Sequence, residues 1–194
     1  SAVLGWMSFR RPELELLCPA DFACYHRRAV IELRVPMKAL IVHDSTFGNG
    51  EQVANAFKEA LEEAGQHVTV SHLSKLTPVE AAKSMPDILV AGAAVRMFRT
   101  SPATKKWLRD FAREARAIGR CPARGAAFLT HGLPPKWITG FSQRLVRRLR
   151  RSKAAAATYP TCFTGQVVGQ QGPLDEGVLD SARHFGASFS QWSP

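Results

Sequence analysis

No stretch of this 194-residue chain approaches the roughly 20 consecutive apolar residues needed to cross a bilayer. Cysteine is scarce: Cys18, Cys24, Cys121 and Cys162 are all there is, and no two stand at C-x-x-C spacing. That argues against a zinc site, gives no reason for a disulfide framework, and fits a reducing cytoplasm. His43, His67, His72 and His131 are scattered, without the H-x-x-x-H or His/Cys spacing of a metal centre. No local signature assembles a Ser-His-Asp or Cys-His nucleophile, so no catalytic residue is assigned, and Cys162 reads as a buried strand thiol. Acidic residues are in deficit, 16 against 26 lysines and arginines, a net charge of +10. Such a surplus favours an anionic partner, surface or ligand without naming one.

What is present is an alternation of strand and helix patterns from Met37 onward. Residues 1–36 carry scattered arginines, two cysteines and three prolines but no sustained period, and read as an N-terminal extension. Within it Ala29, Ile31, Leu33 and Val35 alternate with more polar positions, as in an added edge strand or an arm joining two copies into a homodimer. Strands are predicted at 38–43, 67–73, 88–91, 126–130 and 158–168, the last interrupted by a turn at Gly165. Helices are predicted at 50–64, 78–84, 102–118, after the Pro134-Pro135 loop, and from about Leu174 to Phe189. Thr77-Pro78-Val79-Glu80 spells a capping box with proline at the first helical position. Five βα units predict an open, doubly wound, mostly parallel α/β sheet with helices on both faces. Ligands of such sheets bind beyond the carboxyl ends of the strands.

The stretch Leu40-Ile41-Val42-His43-Asp44-Ser45-Thr46-Phe47-Gly48-Asn49-Gly50-Glu51 runs from apolar strand through small and hydroxyl residues into a helix. A turn of this kind gathers backbone N–H groups and a helix N-terminus around one point, which suits a phosphate. The plain alternative is an ordinary βα turn with Asn49 as N-cap. No Gly-Lys-Ser/Thr follows, so this is not the nucleotide P-loop, and two glycines do not make a dinucleotide fingerprint. The stretch resembles the flavodoxin phosphate loop, Ser/Thr-x-Thr-Gly-x-Thr, with Phe47 and Gly50 where that family has its second and third hydroxyls. Ser45, Thr46 and Asn49 are then left to share the side-chain contacts, with the backbone donors of Phe47, Gly48 and Gly50 retained.

Two further stretches carry the resemblance. Residues 92–103 are similar to the "GSPTRxFRPTPA" loop, and residues 169–177 to the "GxxGPLxEG" ending, of uncharacterised flavodoxin-like proteins. The resemblance spans residues 37 to about 189 and implies a flavodoxin-like domain over 37–194 with a five-stranded parallel sheet in the order 2-1-3-4-5. It implies flavin mononucleotide (FMN) as cofactor. The phosphate would lie at residues 45–50, and the ring between the loop of Ala93, Ala94, Val95, Arg96, Met97 and Phe98 and the loop of His131, Gly132 and Trp137. Phe98 and Trp137 are the aromatic candidates to cover the ring. The function implied is electron transfer or a small flavin-dependent reductase, with a positive surround favouring the anionic reduced flavin.

Two basic blocks follow the third and fourth predicted strands, one from Arg96 to Arg124 and one from Arg144 to Lys153. Neighbouring helices would merge them into one positive face, either simply solvated or suited to an acidic redox partner protein. No nucleic-acid motif accompanies the charge. The competing reading is a flavin-free module of the same fold that contacts an anionic partner through this face.

Overall fold

The computed structural model describes residues 36–169 and 171–194. Pro36 apart, the expected extension and its alternating stretch lie outside the described residues. β1 (Lys38–His43) leads through a short turn to α1 (Asn49–Glu63), and β2 (His67–His72) to α2 (Pro78–Lys83). β3 (Ile88–Arg96) folds back as the two-residue β4 (Arg99–Thr100) before α3 (Pro102–Ala117). β5 (Arg124–His131), α4 (Pro135–Ser152), β6 (Ala157–Gln166) and α5 (Val178–Gln191) follow. Five strands pair in parallel in the order β2-β1-β3-β5-β6, and β4 pairs antiparallel with β3. Leaving β4 aside, this is the order 2-1-3-4-5 that the resemblance implies.

Strand alternation divides the core in two. Leu40, Val42, Leu89, Ala91, Ala127 and Leu129 belong to one cluster, and Ala39, Ile41, Ile88, Val90, Ala126 and Phe128 to the other. The first is covered by α2, α3 and α4 through Ala81, Trp107, Phe111 and Leu145. The second is covered by α1 and α5 through Val53, Phe57, Ala182 and Phe189. Central strands buried on both sides explain the wholly apolar runs, and each fully buried large side chain contributes about 1.5–3 kcal/mol of transfer free energy. The capping box forms: the Glu80 amide donates to Thr77 Oγ1 at 3.2 Å, and the Thr77 amide to Glu80 Oε2 at 3.0 Å. The Thr77 hydroxyl, which donates to Glu80 Oε2 at 2.7 Å, and then the Thr77 amide hold the Glu80 carboxyl below its usual range.

Three expectations are corrected. β6 runs straight through Gly165 instead of turning there, because a Cβ at that point would lie 3.1 Å from Val178 Cγ1, so glycine admits the close approach of α5. The irregularity falls earlier, where β6 bulges against Gly125–Ala127 and Pro160 has no N–H to give the ladder. The last helix begins at Val178, not Leu174, since Leu174 is drawn into a bridge with Val167 and Gly177, at φ 73, turns the chain into α5. Arg124, grouped with the surface arginines by sequence, is a buried residue of β5. Its guanidinium donates to the Ser190 carbonyl at 3.0 Å and the Trp192 carbonyl at 2.6 Å, fastening the end of α5 to the sheet.

Gly92 lies beneath the Phe128 ring, which itself stacks on Phe57 at 5.5 Å. A Cβ at Gly92 would stand 2.1 Å from Phe128 Cζ, and that ring is buried. Gly92→Ala should therefore destabilise by about 1–3 kcal/mol in urea unfolding, and Phe128→Leu in the same chain should recover part of the loss. If Gly92→Ala unfolds at the parental urea midpoint, the ring is not held as described.

His43 is buried in β1 and meets His72 of β2 edge to face at 5.3 Å. Burial, then the neighbouring His72, pushes its pKa below 6.5; Glu51 and Asp44 oppose the shift and Lys75 adds to it. The unfolded chain thus binds the proton more readily, so this contribution to stability is present above about pH 6.5 and is lost as pH falls toward the lowered folded value. Unfolding free energy should fall between about pH 7.5 and pH 5.5. His43→Gln should show a shallower fall over that interval, and equal slopes for parent and variant would refute the assignment.

Candidate functional site

The carboxyl ends of β1, β3 and β5 open on one edge, and the loops that leave them meet there. Ser45, Thr46, Phe47 and Asn49 from the first loop, Ala94, Val95 and Arg96 from β3, and His131 and Gly132 at the end of β5 line one cavity of about 60 Å³. Thr130, Val167 and Gly169 complete its wall. These three were not singled out in the sequence. The parallel direction of β6 was the available signal, because its carboxyl end must open on the same edge as the others. Gly132 is required there, since a Cβ would come within 3.0 Å of the Gly169 carbonyl oxygen.

The first loop is built around its own hydrogen bonds. The Gly50 amide donates to Ser45 Oγ at 2.9 Å, and the Gln52 amide to the Gly48 carbonyl at 3.0 Å, which starts α1. Gly48, at φ 82, is the N-cap, in place of the expected Asn49. Asn49 instead turns its side-chain amide to the Gln171 carbonyl at 2.9 Å, tying the first loop to the segment after β6. Among the described residues no acceptor is paired with the backbone N–H groups of Phe47, Gly48 or Asn49. They stand at the N-terminus of a 15-residue helix, where unsatisfied donors and the macrodipole favour an anion. Glu51, the acidic residue of the first helical turn, lies with His43, Asn55 and Lys58 in a separate depression beside β2.

Asp44 and Arg96 brace the first loop against β3. Asp44 Oδ1 accepts the Ala94 amide at 2.8 Å. Arg96 Nη2 donates to the Asp44 carbonyl at 3.0 Å and to the Thr46 hydroxyl, so a guanidinium is held beside the loop's own donors. His131 is buried, with Nδ1 3.1 Å from the Leu133 carbonyl oxygen. Burial lowers its pKa and that carbonyl partly restores it, which keeps the imidazole neutral near physiological pH.

Six of the expected residues stand apart from the cavity. Ala93 is buried among the core side chains beside α3 and α4, because strand parity sends it to the opposite side from Ala94. Gly48 and Gly50 shape the backbone without lining the cavity, and a Cβ on Gly50 would meet Ser45 Cβ at 3.1 Å. Met97 and Phe98 form the β3–β4 turn with φ of 46 and 56, a left-handed pair in a place where Asn and Gly are usual. Met97 is 93% exposed. Phe98 and Trp137, both about half exposed, pack on each other at 5.5 Å between ring centroids and present a joint apolar surface beside the cavity loops.

Among the described residues no group of three His, Cys, Asp or Glu side chains comes together to hold a metal, and no helix is long and apolar enough to cross a membrane. Cys121 and Cys162 are free thiols, and burial pushes the Cys162 pKa far up, which removes the thiolate a nucleophile would need.

A second concavity, of about 590 Å³, lies between α3 and α4 and starts at the β3–β4 turn. Arg99, Lys105, Lys106 and Arg109 line one side, and Arg144, Arg147, Arg148 and Arg151 the other, over Phe98, Phe141 and Leu145. The broad positive face expected from sequence is thus narrowed to a trough. Arg113 and Arg120 are engaged by Asp110, Glu114 and Asp87, and Arg96 by the first loop.

No protein-family profile and no curated protein sequence matches the chain. Solved structures do. Flavodoxin 1 of Bacillus cereus aligns with a TM-score of 0.58 at 17% identity, over 80% of this chain and 99% of that one. The flavodoxin, WrbA-like protein of Agrobacterium tumefaciens gives 0.59 at 16%, over 79% and 95%. Rubredoxin oxygen:oxidoreductase of Desulfovibrio gigas gives 0.61 at 16%, over 80% of this chain, which spans only 36% of that longer protein. At such identities the likeness is one of architecture, and with the strand order it establishes that this chain has the flavodoxin-like fold.

Proposed function

We propose that the protein binds FMN at the carboxyl edge of its sheet and works as an electron carrier or a small flavin-dependent reductase in a reducing cytoplasm. The observation that carries the reading is the cluster of Phe47, Gly48 and Asn49 N–H groups at the start of α1, beside the Ser45 and Thr46 hydroxyls and the Arg96 guanidinium. Those groups fit a phosphate in charge and donor count. The exposed Phe47, Phe98 and Trp137 fit a flat ring in kind. When bound, the flavin supplies the redox chemistry, and the chain's own part is to hold the phosphate, cover the ring and set the local charge.

A second reading, a flavin-free interaction module, is favoured by one comparison. The edge cavity of about 60 Å³ is far smaller than the trough of about 590 Å³. An absorbance spectrum of the purified protein separates the two, with peaks near about 450 and 370 nm expected for bound flavin.

A pair of glycine variants tests the phosphate loop itself. Gly48 and Gly65 share a left-handed backbone, at φ 82 and 79, with nothing within 4 Å of a built Cβ, but only Gly48 belongs to the candidate loop. Valine at either site should cost a similar 1–2 kcal/mol or so of stability. Gly48→Val should also weaken FMN binding about tenfold or more in a fluorescence titration, whereas Gly65→Val should bind as the parent does. Equal affinity in all three proteins would remove the loop from the site.

A further inference from the structure

The trough between α3 and α4 has the size of a binding cleft and a composition that a solvated surface does not require. Its eight cationic side chains face each other without a single Asp or Glu in the lining. Of the eight, only Arg109 reaches a carboxylate among the described residues, Asp110 at 3.5 Å outside the lining, whereas Arg183 on α5 is gripped by Glu59 and Asp180 together. Lys105 feels the crowding: burial first, then the charges of Arg148, Arg99 and Arg144, lower its pKa. The cations are also in register. Arg144, Arg148 and Arg151 stand at i, i+4 and i+7 on α4, facing Lys105 and Arg109 at i and i+4 on α3. From Phe141 to Ser152 the α4 side of the trough is about 16 Å long at 1.5 Å per residue, the span of roughly five residues of extended chain.

Three kinds of anion could meet such a charge, and the floor distinguishes among them. A single-stranded nucleic acid draws its affinity from bases stacked on free aromatic faces. Here the Arg144 guanidinium lies over the Phe141 ring at 5.7 Å, which leaves Phe98 as a single exposed face and no succession of faces for consecutive bases. A bilayer surface would meet raised cations on a convex face, whereas these line a recess. A peptide segment that alternates carboxylates with apolar side chains needs what is present, cations along two rims and an apolar bed of Phe98 and Phe141 above the buried Leu145.

We propose that this trough is the docking cleft for an acidic, apolar-interleaved segment of a partner protein, and that it leads that partner to the Phe98–Trp137 pair at the candidate cofactor edge. Phe98 belongs to both places: it lines one end of the trough and packs against Trp137. The inference rests on the electron-transfer reading only for what the docked partner would do. The binding itself stands apart from flavin and is measured apart from it.

The test uses the full chain and a fluorescein-labelled decapeptide of alternating Glu and Phe, followed by anisotropy. The expected result is saturable binding that weakens at least about tenfold between about 0.1 M and 1 M salt, as the screening length falls from about 10 Å to 3 Å. Lys105→Glu with Arg148→Glu should weaken binding about tenfold or more, with the thermal transition confirming that the variant folds. Lys75→Glu with Lys83→Glu, both exposed and outside the trough, changes the net charge by the same amount, should bind as the parent does and serves as the control for net charge. An all-Glu decapeptide should bind several-fold more weakly, because it leaves the apolar bed unused. Unchanged affinity in the double variant, equal affinity for the all-Glu peptide, or tighter binding of a ten-nucleotide oligothymidylate would each overturn the proposal. Flavin content measured on the same samples keeps the two readings separate. Peptide binding without flavin defeats the cofactor reading alone, and flavin without peptide binding defeats the docking cleft alone.

Discussion

The candidate site depends on one carboxylate at the end of the first strand. Asp44 accepts the Ala94 amide from a strand 50 residues further along, and its own carbonyl receives the Arg96 guanidinium. These bonds decide where the first loop stands relative to β3, and the loop's remaining geometry follows from them. With Thr46 also held by Arg96 and Ser45 turned back to the Gly50 amide, the hydroxyl residues are fixed by partners within the fold. The N–H groups between them are left at the helix start. A charged-group hydrogen bond of this kind is worth about 1.5–3 kcal/mol, and more is lost when one partner is left buried alone. The edge is therefore built before any ligand arrives, which is the condition for tight binding at low ordering cost.

Much of the fold was legible in the residues, and the reason differs from element to element. Wholly apolar Ile88-Leu89-Val90-Ala91 required a strand covered on both sides, and Thr77 with Glu80 required a helix start at Pro78. Both are local rules that tertiary structure had no cause to override. The start of α5 was not legible, since Leu174 fits the helical period but is taken by a strand-like bridge to Val167. Gly165 suggests a turn because glycine usually breaks a strand, whereas here it makes room for another element's valine.

For the site, chain direction carried the most information. Parallel strands must send their carboxyl ends to one edge, and that alone brought the three loops together. What it could not do was sort neighbours within a loop. Gly92-Ala93-Ala94 looks like a loop because its residues are small, yet β3 continues through it and parity puts Ala93 in the core and Ala94 at the cavity. The Met97-Phe98 turn was hidden for a similar reason, as neither residue is one that favours positive φ. Among the basic residues, sequence showed abundance but not allegiance. Arg124 serves the end of α5, Arg120 serves Asp87, and of the eight cations lining the trough only Arg109 has an acidic partner, Asp110, among the described residues.

That last arrangement also bears on the integrity of the domain. Two helices that must pack on the same sheet face carry like charges along their shared seam, so every cation there pushes against the burial of Phe111, Leu145 and Leu149 beneath. The seam is thus the part of the fold most relaxed by added salt or by any bound polyanion. Heat tolerance should track ionic strength more closely here than on the α1–α5 side, where Arg183 has carboxylates of its own. A recognition surface of one sign is, in this protein, a built-in weakness that its own occupant would mend.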